Sequence, residues 1–142
     1  MSVSLNSIEG SGPVLLSLAG ALFAAGLAWQ LNRCRAYLPG LNMVYYTPLV
    51  EEFAKTVPAV LIGASLFFTH VFFGVVEAVW ELFSRRRNGL YAGLAALAGH
   101  SIYGFITAMA YERYGAVAPA LFAGYLAHAA WNFTVASLVN YH

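Results

Sequence analysis

The chain has 142 residues, of which 61% are hydrophobic and only 9% are charged, with a net charge of +1. A soluble domain carries roughly 45–50% apolar and about 25% charged residues, so this composition excludes a protein with an ordinary water-facing surface. The small net charge and the lack of a long Lys/Arg-rich tract exclude a nucleic-acid-binding protein. The single cysteine, Cys34, excludes an internal disulfide framework and an all-cysteine metal site. We therefore expect an integral membrane protein.

Five hydrophobic stretches are candidates for membrane-spanning helices, since a helix that crosses a bilayer needs about 20 predominantly apolar residues. The first is not preceded by Lys or Arg, unlike a secretory signal peptide, and we expect it to be retained. The turn between the second and third stretches has only a weak signal, near Phe68–His70, whereas Arg85–Gly89 and Tyr111–Gly115 predict clear loops. The predicted spans are 13–32, 43–67, 70–84, 90–110 and 117–139.

Arginines in the predicted loops indicate how the helices cross the membrane. With the N-terminus outside, Arg33, Arg35 and Arg85–Arg87 fall on the cytoplasmic side, and only Arg113 falls outside. This bias follows the positive-inside rule. We therefore expect residues 1–142 to form a single integral membrane domain, an all-α polytopic helix bundle with about five transmembrane helices and a cytoplasmic C-terminus.

Several polar side chains lie inside the predicted spans, where an ionisable group costs roughly 2.5–3.5 kcal/mol on insertion scales. Side chains four residues apart share a helix face, so we expect Glu51 to pair with Lys55. His128 and Asn132 share a face in the same way. The simplest arrangement turns all the polar side chains of the spans into one inward-facing pocket. These side chains are Glu51, Glu52, Lys55, His70, Glu77, Glu81, His100, His128 and Asn132.

A structural role is the simpler interpretation for some of these residues. Glu81 lies four residues before Arg85 at a helix end, which is typical of an interfacial ion pair. We expect His70 to lie near the outer water boundary. The Glu51–Lys55 pair, taken alone, is as compatible with a buried structural pair as with catalysis.

The whole set of polar residues suits hydrolysis of an amide by an activated water molecule. Glu51 and Glu52 can take a proton from water and transfer it to the leaving amine, while Lys55 keeps one carboxylate ionised. His128 and Asn132, one helical turn apart, can both donate to the oxyanion. No serine or cysteine nucleophile has a suitable histidine partner in the sequence. Glu and His are also zinc ligands, so a metal site is the competing interpretation, although the spacing is not His-Glu-x-x-His.

Four short motifs resemble, in order, those of the CPBP superfamily of intramembrane proteases, which includes the CAAX-processing and bacteriocin-processing enzymes. Its PrsW-like branch is the more similar one, because the first motif has the form Glu-Glu-x-x-Lys and the next motif contains a glutamate. The motifs are Glu51-Glu52-Phe-Ala-Lys55, Phe73-Gly-Val-Val-Glu77, a mid-helix His100, and His128-Ala-Ala-Trp-Asn132.

This resemblance implies hydrolysis of a peptide bond within the membrane, and we expect an intramembrane endopeptidase of the glutamic type without a cofactor. It makes Glu51 and Glu52 the pair that activates water. The CAAX-processing enzymes have an arginine where the nearest cation here is Lys55, and a histidine in place of Glu77, so a zinc-dependent mechanism stays open. The remaining site residues implied are Glu77, His100, His128 and Asn132, with Lys55 and Phe73 in support.

The expected substrate is a membrane-anchored or transmembrane peptide, and the expected surroundings are the lipid bilayer. The chain is short for the superfamily, which leaves a homodimer open. Two functions from other classes are alternatives. One is a non-catalytic membrane scaffold or partner subunit with a polar core, and the other is a proton-linked transporter, since chains of Glu and His also relay protons.

Overall fold

The computed structural model describes residues 11–33, 42–84 and 88–139, and this part of the chain is almost entirely helical. A single π-helical segment, Asn42–Tyr46, leads directly into the second α-helix. The α-helices are α1 (Ser11–Arg33), α2 (Thr47–Leu61), α3 (Leu66–Phe83), α4 (Gly89–Tyr114) and α5 (Val117–Val139). The predicted all-α helix bundle is confirmed.

Three of these helices are long and apolar enough to cross a bilayer, namely α1 over Pro13–Leu31, α3 and α4. The protein is therefore a membrane protein. α2 has 15 residues, fewer than a full span requires. The count of five spans and the orientation stay predictions, because the arginines at 35 and 85–87 lie outside the described residues, as does Cys34.

The turn between α2 and α3 lies at Ile62–Ser65, so the prediction of a turn near Phe68–His70 is wrong. Gly63 adopts a φ of +69°, a left-handed conformation that favours glycine. The Ser65 side chain then caps α3 by accepting a hydrogen bond from the backbone N–H of Phe68 at 3.3 Å. The predicted spans 43–67 and 70–84 therefore divide at the wrong place.

The helix α4 also extends further than predicted. It continues to Tyr114, so most of the loop expected at Tyr111–Gly115 is helical. Gly115 ends it with a φ of +64°, which is the usual geometry of a glycine that terminates a helix. The span predicted to end at residue 110 is thus one turn too short.

Small residues let α1 lie against the α2–α3 hairpin. Ala24 and Ala28 belong to a buried apolar cluster that also includes Phe73 of α3. Ser17 of α1 is fully buried, and its hydroxyl accepts a hydrogen bond from the Ser65 backbone N–H at 3.1 Å. This contact holds the turn between α2 and α3 against the first helix.

Close packing of α3 and α4 depends on two glycine–histidine contacts. The glycine belongs to α3 in one contact and to α4 in the other. A Cβ atom added at Gly74 would lie 2.9 Å from the Cβ of His100, and one added at Gly104 would lie 2.5 Å from the Cβ of His70. Each helix therefore places a glycine opposite the histidine of its neighbour. Small residues at such crossings let membrane helices approach closely.

We expect Gly104→Ala to lower the thermal stability of the protein in detergent. The added methyl group would overpack the crossing against His70 and cost about 1–3 kcal/mol. Gly26→Ala is the matched control, because a Cβ at Gly26 meets no atom within 4 Å. Thermal unfolding of both variants measures the difference, and equal stability of Gly104→Ala and the wild type would contradict this account of the crossing.

Candidate functional site

Buried polar side chains from four helices meet in one cluster inside the bundle. Glu52, Lys55 and His70 are completely buried, and His100 and His128 are at most 4% exposed. Ionisable groups are rarely buried unless they are paired, so the role of each one is inferred from its contacts with the others. The cluster contains Glu51, Glu52 and Lys55 from α2, His70 from α3, His100 from α4 and His128 from α5, together with the partly exposed Glu77 from α3.

The Glu52 carboxylate is the centre of this cluster. Its Oε1 accepts hydrogen bonds from Lys55 Nζ at 2.6 Å and from His128 Nδ1 at 2.9 Å. Its Oε2 lies 2.8 Å from His70 Nε2. Three partners from α2, α3 and α5 therefore offset the cost of removing this carboxylate from water.

The cation of the cluster is Lys55. It pairs with Glu52, whereas the spacing predicted a pair with Glu51. Residues three and four apart both share a helix face, so the spacing allowed either partner. The bundle decides between them, because Glu52 is the glutamate turned towards the buried ammonium group. The Lys55 Nζ also lies 4.6 Å from the centre of the Phe73 ring, in a cation–π contact.

The side chain of His70 is completely buried inside the bundle, and its expected place near the outer water boundary stays a prediction. α3 begins at Leu66, so His70 lies one turn inside the helix and not at its start. The sequence analysis lists His70 among the polar side chains of the spans but does not assign it to the catalytic site. The available signal was its spacing, because His70 is three residues before Phe73 and seven before Glu77 and therefore shares their helix face.

The hydrogen bonds of His70 show that it shares a proton with Glu52. Its Nδ1 lies 2.8 Å from the carbonyl oxygen of Leu66, and a carbonyl can only accept, so Nδ1 carries a hydrogen. Its Nε2 faces Glu52 Oε2 at 2.8 Å. One further proton must lie between these two atoms, either on the imidazole or on the carboxyl group.

His100 connects Lys55 to Glu77. Its Nδ1 lies 3.1 Å from Lys55 Nζ, and an ammonium group only donates, so Nδ1 is the acceptor. Its Nε2 then carries the hydrogen and donates to Glu77 Oε2 at 2.6 Å. The prediction that His100 belongs with the other polar residues is consistent with these contacts.

Tyr103 is another member of the cluster that sequence reasoning missed. It is buried, and its ring stacks on that of His128 with centres 4.4 Å apart. It also meets His100 edge-on at 5.2 Å. Because Tyr103 follows His100 by three residues, the two share a helix face, and this spacing was the available signal.

Glu51 differs from its neighbour because it is buried without a hydrogen bond to any described residue. The residue is 9% exposed, and its Oε2 lies 3.9 Å from His128 Nε2. That distance exceeds a hydrogen bond and is one that a bridging water spans. The carboxylate also lines a cavity of about 470 Å³ between α1 and α3.

Three further residues singled out from the sequence are Asn132, Phe73 and Glu81. Asn132 is half-buried on α5, one turn after His128. Phe73 packs edge-on against the His100 ring at 4.9 Å. Glu81 is half-buried and lines the same cavity as Glu51, while the arginine at 85 predicted to pair with it lies outside the described residues.

Three of the clustered residues could offer ligands to a metal ion. One ligand atom each from Glu51, His100 and His128 lies within 4.8 Å of the others. However, both ring nitrogens of His100 are already engaged, one of them by the Lys55 ammonium group. A divalent cation would have to break one of these contacts and lie close to a positive charge, so the described arrangement fits a metal poorly.

Comparisons with protein-family models, with curated proteins and with solved structures find no match for this chain. The resemblance to the CPBP superfamily therefore stays a prediction that rests on the four motifs.

We expect His70 and Glu52 to be energetically coupled. His70→Leu leaves a buried carboxylate short of a partner and should cost about 3–5 kcal/mol of unfolding free energy. In the double variant with Glu52→Gln, the neutral amide needs the imidazole less, so the combined loss should fall short of the sum by about 1–3 kcal/mol. Unfolding of the two single variants and the double variant in detergent measures the coupling, and strict additivity would contradict the shared proton.

We expect the purified protein to contain substoichiometric zinc. Because a ligand that binds only the folded state raises stability, adding zinc should also leave the melting temperature unchanged. Elemental analysis and thermal unfolding with and without zinc provide the measurements. Stoichiometric zinc in the wild type that is lost in Glu51→Gln would establish a metal site and refute a metal-free one.

Proposed function

We propose that this protein is an intramembrane endopeptidase of the glutamic type, which hydrolyses a peptide bond of a membrane-anchored or transmembrane substrate without a metal. One observation carries the proposal. The Glu51 carboxylate is buried without a hydrogen bond to any described residue, faces His128 at 3.9 Å, and opens onto a cavity. A general base needs this combination of availability, a nearby partner and access for substrate.

The two adjacent glutamates take different roles in this mechanism. Glu52 has both oxygens occupied by Lys55, His70 and His128, so it anchors the site and orients His128. Glu51 is available to accept a proton from water. The hydroxide so formed attacks the peptide carbonyl carbon, and Glu51 then transfers the proton to the nitrogen as the C–N bond breaks.

His128 is placed to orient the attacking water. Since its Nδ1 donates to Glu52, its Nε2 carries the lone pair and faces Glu51. A water held between these two groups can donate one hydrogen to each. In this proposal the side-chain amide of Asn132 is the donor to the oxyanion. Lys55, His100 and Glu77 form a chain of contacts that runs from the Glu52 carboxylate to the cavity that Glu51 lines.

The same cluster supports membership of the CPBP superfamily, in the PrsW-like branch, because residues from its four motifs lie together. We further propose that the chain crosses the membrane about five times with its N-terminus outside. The arginine distribution supports this orientation. A cleavage site buried at the level of the helices requires a substrate that is itself within the bilayer.

We expect Glu51→Gln to reduce cleavage of a co-expressed membrane substrate by at least about a hundredfold, since an amide cannot act as the base. Its melting temperature should stay at the wild-type value, because the carboxylate bonds to no described residue. Glu52→Gln should lose both activity and stability. The matched control is Glu112→Gln, which changes an exposed glutamate at the end of α4 and should alter neither.

Cleavage that survives in Glu51→Gln would refute the proposed base. Two other results would favour the alternative classes of function. Loss of a co-purifying membrane protein in the Glu51 and Glu52 variants, with no cleavage by the wild type, would identify a scaffold. Proton-driven flux in proteoliposomes without cleavage would identify a transporter.

A further inference from the structure

A second cavity lies at the end of the bundle where α1 and α3 begin and α4 ends. Its volume is about 480 Å³, and we call it the turn cavity because the turn between α2 and α3 forms part of its wall. A water molecule takes up about 30 Å³ in the liquid, so the turn cavity has room for several waters. Ser65, Tyr111 and Glu112 contribute polar groups to its lining, and these groups favour water as its content.

Three helices each place a completely buried polar side chain one helical turn below the turn cavity, on the side of the bundle interior. Residues four apart on a helix lie one above the other on the same face. The pairs of cavity-lining residue and buried residue are Val60 and Thr56 on α2, Leu66 and His70 on α3, and Tyr111 and Thr107 on α4. The floor of the turn cavity is therefore followed by a polar layer.

Two threonines of this layer have hydroxyl groups without a hydrogen bond to any described residue, namely Thr56 and Thr107. A threonine within a helix commonly donates to the carbonyl oxygen four residues earlier, as Thr69 and Thr134 do here. A buried hydroxyl without a partner is costly, whereas a water within reach satisfies it. The hydroxyls of Thr56 and Thr107 therefore point to water as their ligand.

The hydroxyl of Thr107 also lies beside the central carboxylate of the cluster. Thr107 Oγ1 and Glu52 Oε2 are both within 2.7 Å of the point that a Cβ atom at Gly124 would occupy. Two oxygens this close to one point are within reach of each other through one bridging water, or directly after a small shift. Oε2 is the oxygen that lies 2.8 Å from His70 Nε2 and shares a proton with it. Thr107 thus stands between that proton and the turn cavity.

We propose that the turn cavity is a water inlet that ends at Glu52 and His70, with Thr107 as its last group. The threonine hydroxyl accepts a hydrogen bond from water on one side and donates its own hydrogen towards Glu52 Oε2 on the other. Through this contact the proton shared by Glu52 and His70 exchanges with the aqueous phase at that end of the bundle. The inlet is separate from the cavity that Glu51 lines, and the inference does not rest on the proposed function.

Replacing Thr107 by Val, which has the same shape, tests the last step without a substrate. The probe is the imidazole N–H of His70 in protein with isotope-labelled histidine, and its exchange in heavy water is followed by NMR in nanodiscs. We expect Thr107→Val to slow this exchange at least about tenfold, while Thr107→Ser, which keeps the hydroxyl, retains the wild-type rate. The matched control is Thr134→Val, which removes an exposed hydroxyl bonded to its own helix and should change nothing.

The melting temperature of Thr107→Val gives a second measurement whose sign decides. Removing a buried hydroxyl that has no partner raises stability, whereas removing one that bonds to water and to Glu52 lowers it. We expect a lower melting temperature for Thr107→Val in detergent, and a wild-type value for Thr107→Ser.

The presence of water in the turn cavity is tested by cysteine labelling in a Cys34→Ser background. A charged methanethiosulfonate reagent attacks the thiolate, which forms only where water reaches the thiol. Ala108 lines the turn cavity, whereas Phe105 of the same helix is 57% exposed and lies outside that lining. We expect Ala108→Cys to react at least about tenfold faster than Phe105→Cys.

Wild-type exchange of His70 in Thr107→Val, or a raised melting temperature of this variant, would overturn the role of Thr107. Equal labelling of the two cysteine variants would overturn the water inlet. All these measurements can be repeated in Glu51→Gln, where we expect the same results. The inlet would therefore stand if the peptidase were refuted, and cleavage that depends on Glu51 would stand if the inlet were refuted.

Discussion

The packing of this bundle depends on one buried carboxylate. Glu52 is completely removed from water, which costs several kcal/mol for an ionised group without partners. Lys55 and His128 share one of its oxygens and His70 contacts the other, all at 2.6–2.9 Å. Since His70 lies on α3 and His128 lies on α5, a shift of either helix against α2 would remove one partner of the carboxylate. The carboxylate therefore specifies one arrangement of the helices as well as forming part of the site.

Hydrogen bonds this short require the helices to come unusually close, and the glycines make that approach possible. Gly124 of α5 illustrates the requirement, because a Cβ atom there would lie 2.7 Å from Glu52 Oε2. Gly104 and Gly74 serve the same purpose at the crossing of α3 and α4, opposite His70 and His100. In a bilayer, where apolar contacts gain little over lipid, this combination of small residues and polar contacts is what drives helices together.

Composition and spacing predicted the all-α bundle and the polar residues worth attention, because a charge in an apolar span is costly wherever it lies. They could not predict which groups touch. The distance along α2 allowed Lys55 to pair with either glutamate, and only the neighbouring helices turn Glu52 towards it. The burial of His70 could not be predicted for a related reason. The turn depends on the left-handed conformation of Gly63, and its true position places His70 one turn inside α3, where the side chain is buried.

The contrast between Glu51 and Glu52 shows how one helix can give two identical side chains different chemistry. Adjacent residues point about 100° apart on a helix, so Glu52 faces the bundle interior and Glu51 faces the cavity between α1 and α3. The first is surrounded by donors and is fixed by them. The other is buried without a hydrogen bond to a described residue, which is a costly state for a carboxylate. A carboxylate in that state, at the end of a cavity, is best explained by a molecule that it binds or converts there.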